Sequence, residues 1–155
     1  MKTRLAEESP RYRALMELLR TAETIWNASR VFFARWDLSP SQFNVLNLLR
    51  LTPDGLSQTD LSRELIMHRS NVTGLVDRLE KRGLVERRDV EKDRRAYRVV
   101  LTGAGSQVLR EILPEYYEGG ERVWEGLADR RVAELILDLQ KAAKNADHIS
   151  AELPR

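Results

Sequence analysis

Ser70, Asn71 and Thr73 stand at the head of an apolar repeat, and a second polar group, Lys92-Asp93-Arg94-Arg95, follows further along the chain. Hydroxyls, a carboxamide and guanidinium groups donate hydrogen bonds to phosphate oxygens and to the edges of bases. They do not make a catalytic set. With 0 Cys the chain has no thiolate nucleophile, disulfide or zinc ribbon, and its 2 His, His68 and His148, lack any metal-binding spacing. Gly103 and Gly105 lack the third glycine and acidic partner of a dinucleotide loop, and neither a Gly-rich phosphate loop nor a GxSxG elbow occurs. This reading assigns no catalytic residue, no metal and no cofactor, and takes both histidines as structural or exposed.

Charge is distributed to match a binding role. The formal net charge is +2 over 155 residues. Residues 57–98 hold 11 Lys and Arg against 8 Asp and Glu, whereas residues 99–155 hold 7 against 10. A basic middle attracts a phosphate backbone, although an excess this small also suits a solvated mixed-charge surface. The polar start, Met1 to Pro10, is unlike a signal peptide, and no run approaches the roughly 20 apolar residues of a membrane span, so a cytoplasmic protein is expected.

The elements that must hold these residues follow from periodicity. Leu15, Leu18, Leu19, Ala22, Ile25, Trp26, Ser29, Phe33 and Trp36 form a helical stripe over residues 11–36. Ser39, Pro40 and Gln42 have the spacing of a capping box for a second helix to Arg50, and Ser57 and Asp60 cap a short third one. Val72, Leu75, Val76 and Leu79 then mark a fourth helix over residues 69–82, which turns Asn71, Thr73, Gly74, Asp77, Arg78 and Lys81 outward and stops at Gly83. Leu84 to Arg88 and Tyr97 to Leu101 read as strands around a long, mobile loop, Asp89 to Ala96, that has no tight-turn signal. Thr102 caps a fifth helix, with a kink expected at Pro114, and a sixth runs over residues 129–150.

The fold class implied is mainly α with a small β-hairpin wing: a winged helix-turn-helix flanked by long N- and C-terminal helices. The run Ser70-Asn71-Val72-Thr73-Gly74-Leu75-Val76-Asp77-Arg78-Leu79-Glu80-Lys81-Arg82-Gly83-Leu84-Val85, followed by Asp93-Arg94-Arg95-Ala96 and then Leu101-Thr102, resembles the multiple-antibiotic-resistance regulator (MarR) family. The resemblance implies a single domain over residues 1–155, in which helices at 11–36 and 103–150 form a homodimer and residues 39–102 form the DNA-binding lobe. It implies a transcription regulator, in the repressor mould, with double-stranded DNA as partner, a pseudo-palindromic operator and a small-molecule inducer. Gly74 departs from the family's larger, often basic residue there, and His68 from its small or acidic caps. Asn44 stands where urate-responsive relatives carry an acid, so urate is a poor ligand for this chain.

Arg69, Ser70, Asn71 and Thr73 are assigned to DNA, the hydroxyl and amide groups having local capping as their plainer use. Arg78 is equally suited to DNA or to helix-face ion pairs with Asp77, Glu80 and Lys81. In the family, an Asp placed like Asp93 holds an Arg placed like Arg95, which enters the minor groove, where a narrow A·T tract concentrates negative potential. Lys92, Arg94, Arg87 and Arg88 are assigned to phosphates. Trp26, Arg30 and Phe33 put a cation on an apolar stripe, which suits an aromatic carboxylate or an Arg whose head reaches solvent. The competing functional class is a winged-helix adaptor that binds protein and no operator.

Overall fold

A computed structural model of the chain describes residues 9–65, 69–90 and 93–152, with only the backbone described at 69–70, 90 and 93–96. The described elements are helices α1 (Pro10–Ala34), α2 (Pro40–Arg50), α3 (Gln58–Glu64) and α4 (Arg69–Lys81), strands β1 (Val85–Val90) and β2 (Asp93–Leu101), and helices α5 (Gly103–Val123) and α6 (Asp129–Glu152). The protein is mainly helical with one antiparallel hairpin, as the sequence pattern requires. Two compact units divide it, Met1–Glu111 and Ile112–Arg155.

In the first unit, local chemistry fixes each element before packing does. Ser39 accepts from the Gln42 N–H while the Gln42 side chain accepts from the Ser39 N–H, which satisfies two orphan donors at the start of α2. Ser57 caps α3 by accepting from the Asp60 N–H at 3.1 Å, and its hydroxyl donates to the Asp60 carboxylate at 2.6 Å. That bond is the main reason the Asp60 carboxyl lies below its ordinary pKa. At the end of α1, Asp37 takes a left-handed conformation at φ 53, and the Leu38 N–H returns to the Phe33 carbonyl. Asp tolerates that conformation better than most residues. The turn is held from outside, since the Arg82 guanidinium donates to the Trp36 carbonyl at 3.0 Å and also to the Asp37 carbonyl.

Around these caps lies one core. Phe33 stacks on Phe43 with ring centroids 4.3 Å apart, and Leu46, Leu49, Leu61, Val76, Leu79 and Val99 are fully buried with them. Gly83, at φ 69, ends α4 by returning its N–H to Glu80 and that of Leu84 to Leu79, which sends the chain directly into the hairpin.

The hairpin is more complete than the sequence suggests. β1 continues to Val90 and β2 begins at Asp93, so strand enters the long loop expected over Asp89 to Ala96, with Asp89 paired to Tyr97 and Val90 to Asp93. A register shift between Asp89 and Val90 makes this possible, because a bulge bends a hairpin closed without a Gly-containing turn. Leu56 adds a bridge to Val99 and ties the segment before α3 to the wing.

In the second unit α5 continues through Pro114 to Val123, and α6 has no fully buried residue. Tyr117, Ile136, Leu137 and Ile149 are exposed there, as are Leu15, Leu18, Leu19 and Trp26 on α1. Among the described residues no helix is long and apolar enough to cross a membrane.

Candidate nucleic-acid interface

α4 carries the polar face that the sequence singled out. Burial of Val72, Leu75, Val76 and Leu79 fixes its rotation, which leaves Asn71, Thr73, Asp77, Arg78 and Lys81 exposed on the opposite side. Arg69 and Ser70 open the same helix, with side chains outside the described residues. Gln58, the first residue of α3, reaches across to this face, where its Nε2 donates to Thr73 Oγ1 at 2.9 Å. Gly74 leaves room beside Thr73, since a Cβ added there would stand 3.4 Å from a terminal nitrogen of Arg78. The Arg78 guanidinium therefore lies back over the glycine, one turn toward the helix start.

Arg78 has no ion-pair partner among the described residues, because the neighbouring carboxylates are engaged elsewhere. Arg87 of β1 donates to both Asp77 and Glu80, its backbone N–H bonds Glu80 Oε1 at 3.0 Å, and its guanidinium stands 5.2 Å from the Tyr97 ring centroid. Partial burial acts to lower the Arg87 pKa, but Asp77, Tyr97 and Glu80 outweigh it and hold the pKa above its ordinary value. Arg87 thus joins wing to helix through both terminal guanidinium nitrogens, a use that its assignment to a phosphate leaves out. The same clasp pairs Asp77, on the outer face of α4, and Glu80, beside it, with a cation, which leaves Arg78 and Lys81 as the cations of that face without an ion pair among the described residues.

Arg88 differs. Its pair with Glu86 at 2.6 Å is exposed on both sides, so a phosphate could displace it at little cost. Asp93, Arg94 and Arg95 form the start of β2, where Asp93 pairs with Val90, but their side chains lie outside the described residues. Lys92 and His68 fall outside them altogether, and His148 is exposed on α6.

The residues considered for a ligand are spread apart. Arg30 lines an open depression of about 310 Å3 with Ala34, Asp37, Leu38 and Gln42, and has no ion-pair partner among the described residues. Trp26 is exposed one turn earlier and does not line it, while Phe33 is buried against Phe43. No group of His, Cys, Asp and Glu able to hold a metal occurs among the described residues.

Sequence reasoning missed Gln58, Arg82 and Arg87 as organising side chains. For Arg87 a signal existed, in that Asp77 and Glu80 sit at i and i+3 on a face that a following strand must cross. Gln58 and Arg82 act over separations that no local spacing encodes.

A sequence model of the MarR family matches residues 36–96, the segment that holds α2, α3, α4, β1 and the first residues of β2. The transcriptional repressor MprA of Escherichia coli strain K12 is 32% identical over 97 residues, covering 63% of this chain and 55% of that protein. The match thus spans about half the length of that relative. An uncharacterised HTH-type transcriptional regulator of Bacillus subtilis strain 168, YkoM, is 32% identical over 112 residues, 72% of this chain and 71% of its own. Among solved structures, CouR from Rhodococcus jostii RHA1 bound to p-coumaroyl-CoA superposes with a TM-score of 0.78 at 25% identity, over 88% of this chain and 95% of that one. Relatives of this kind are transcription regulators and not enzymes. On the segment matched, the relatives and the winged fold, the chain belongs to the MarR family.

Proposed function

We propose that the protein is a homodimeric, sequence-specific DNA-binding repressor that acts in the cytoplasm and releases its operator when a small molecule binds. The observation that carries this reading is the outer face of α4, where Asn71, Thr73 and Arg78 are exposed while Arg87 is paired with Asp77 and Glu80 beside them. A helix so presented next to a hairpin suits the major groove, with the wing residues Lys92, Asp93, Arg94 and Arg95, and the helix-opening Arg69 and Ser70, on the flanking backbone and minor groove. The chain acts as one domain in this account. Large apolar side chains exposed on α1, and others exposed on α6, support a dimer, since so many are rarely left to water on a single helix. For the inducer, Arg30 would receive an anionic group at the depression that it lines, and contact with Trp26 and Phe33 on α1 would require their side chains to move; CouR, with its bound acyl-CoA, supports a small-molecule response in such a fold.

The test is the salt dependence of DNA binding by the full chain. A dimer that neutralises several phosphates should lose affinity steeply, with a log–log slope of about −0.9 per phosphate contact. Absence of DNA binding at low salt would favour the adaptor class instead.

The Arg87 clasp adds an outcome of its own. Arg87→Met keeps the aliphatic stem but releases Asp77 and Glu80, so affinity should fall about tenfold and thermal stability by about 1 kcal/mol. The salt slope should stay unchanged, because no phosphate contact is removed. A slope reduced by about two units in the dimer would return Arg87 to the phosphate-binding set.

A further inference from the structure

Thr73 makes one hydrogen bond to another side chain, and the direction of that bond constrains what the residue can do next. Gln58 Nε2 is the donor and Thr73 Oγ1 the acceptor, at 2.9 Å. A threonine hydroxyl has one hydrogen and two lone pairs, and its hydrogen has no acceptor here among the described residues. Gln58 is not on a loose segment. It opens a helix whose cap is fixed by the Ser57–Asp60 bonds and whose Leu61 is fully buried, so the amide is presented from an anchored position.

We infer that Gln58 sets Thr73 as a hydrogen-bond donor, so that the base it meets presents an acceptor: guanine, adenine or thymine, and not cytosine. The inference rests on the groove-reading role proposed above for α4. An oxygen that already accepts one bond is a weaker second acceptor, and its own O–H becomes a more polar donor. In the major groove, guanine offers N7 and O6, adenine N7 and thymine O4, whereas cytosine offers only the hydrogens of its N4 amine. A freely rotating hydroxyl can serve either kind, which makes Ser and Thr unselective readers. With one lone pair committed to Gln58, cytosine could use only the remaining, weaker lone pair and would leave the threonine hydrogen without an acceptor in a closed interface. A single hydrogen bond at stake corresponds to roughly fivefold discrimination.

Gln58→Glu reverses the logic without changing the size of the side chain. A carboxylate only accepts, so it takes the Thr73 hydrogen in a charge-assisted bond and turns the threonine lone pairs toward the base. The experiment selects bound duplexes from a random-sequence library with the full-length protein, Gln58→Glu, Thr73→Val and the double variant, each first shown to melt cooperatively. Base frequencies within each bound pool are compared, so a general loss of affinity from the added charge does not enter. The wild type should deplete cytosine about fivefold at one position of each half-site. Thr73→Val should flatten that position, Gln58→Glu should enrich cytosine there, and the double variant should again be flat. If Thr73→Val flattens the position but Gln58→Glu keeps the wild-type preference, the orienting role of Gln58 is overturned while the reading helix stands. Cytosine enrichment that persists in the double variant would mean that residue 58 contacts the base itself, which also overturns it. An unchanged preference in Thr73→Val would remove Thr73 from the interface, and with it the groove assignment of this face.

Discussion

Arg95→Ala should weaken DNA binding by about one hundredfold, the largest loss expected from any single change in the wing. A dimer loses two guanidinium groups at once, and two charged hydrogen-bonding contacts together contribute about 3 kcal/mol. The salt slope should fall by about two units, one for each cation withdrawn. Sites with A·T-rich flanks should suffer most, since a narrow minor groove is where an inserted guanidinium gains most. Asp93→Ala should give a milder form of the same defect by leaving the cation in place but less well oriented. Thermal stability should change little in either case. Equilibrium titrations at two salt concentrations check all of this, and undiminished affinity in a folded Arg95→Ala dimer would show that the hairpin is not a DNA-reading wing.

The second large effect is on folding. Gly105 lies in the first turn of α5, where its N–H is accepted by the Thr102 hydroxyl at 3.0 Å. A Cβ at this position would sit 2.2 Å from the Leu84 carbonyl oxygen and 2.7 Å from a methyl of Leu101. The first obstacle is backbone, and that same carbonyl accepts the Thr102 N–H at 3.2 Å, so relief requires α5 to leave the end of the hairpin. Overpacking of this kind costs about 3 kcal/mol, which for a chain of this length lowers the melting temperature by roughly 10 °C. Gly103→Ala is the control, because nothing lies within 4 Å of a Cβ there and the change should be nearly neutral. Comparable melting of the two variants would mean that the start of α5 is free to shift.

How far the sequence discloses these features depends on the range of the interaction. The capping box at Ser39, the cap at Ser57, the rotation of α4 and the stop at Gly83 are set by residues within one or two turns, and spacing reveals them. The hairpin was underestimated because strand ends were judged by turn residues, whereas a register shift at Asp89 and Val90 supplies the bend. By sequence Arg87 is assigned to a phosphate along with Lys92, Arg94 and Arg88. Only the crossing of β1 over α4 brings it to Asp77 and Glu80, and that pairing decides which charges face outward. Gly74 reads as a missing contact in the sequence, yet the open space above it is where the Arg78 guanidinium lies. Arg82 spans to the Trp36 and Asp37 carbonyls beside the depression that Arg30 lines, a reach that no local spacing encodes.

The central claim is that two copies of this reading head address DNA together, and selection of bound duplexes from a random-sequence library with the purified wild-type protein tests it most directly. The account predicts an inverted repeat whose half-sites lie about 10 base pairs apart, centre to centre, since a two-fold dimer imposes its symmetry and spacing on the site. A library that emerges unenriched, or an enriched sequence with no dyad, would contradict it.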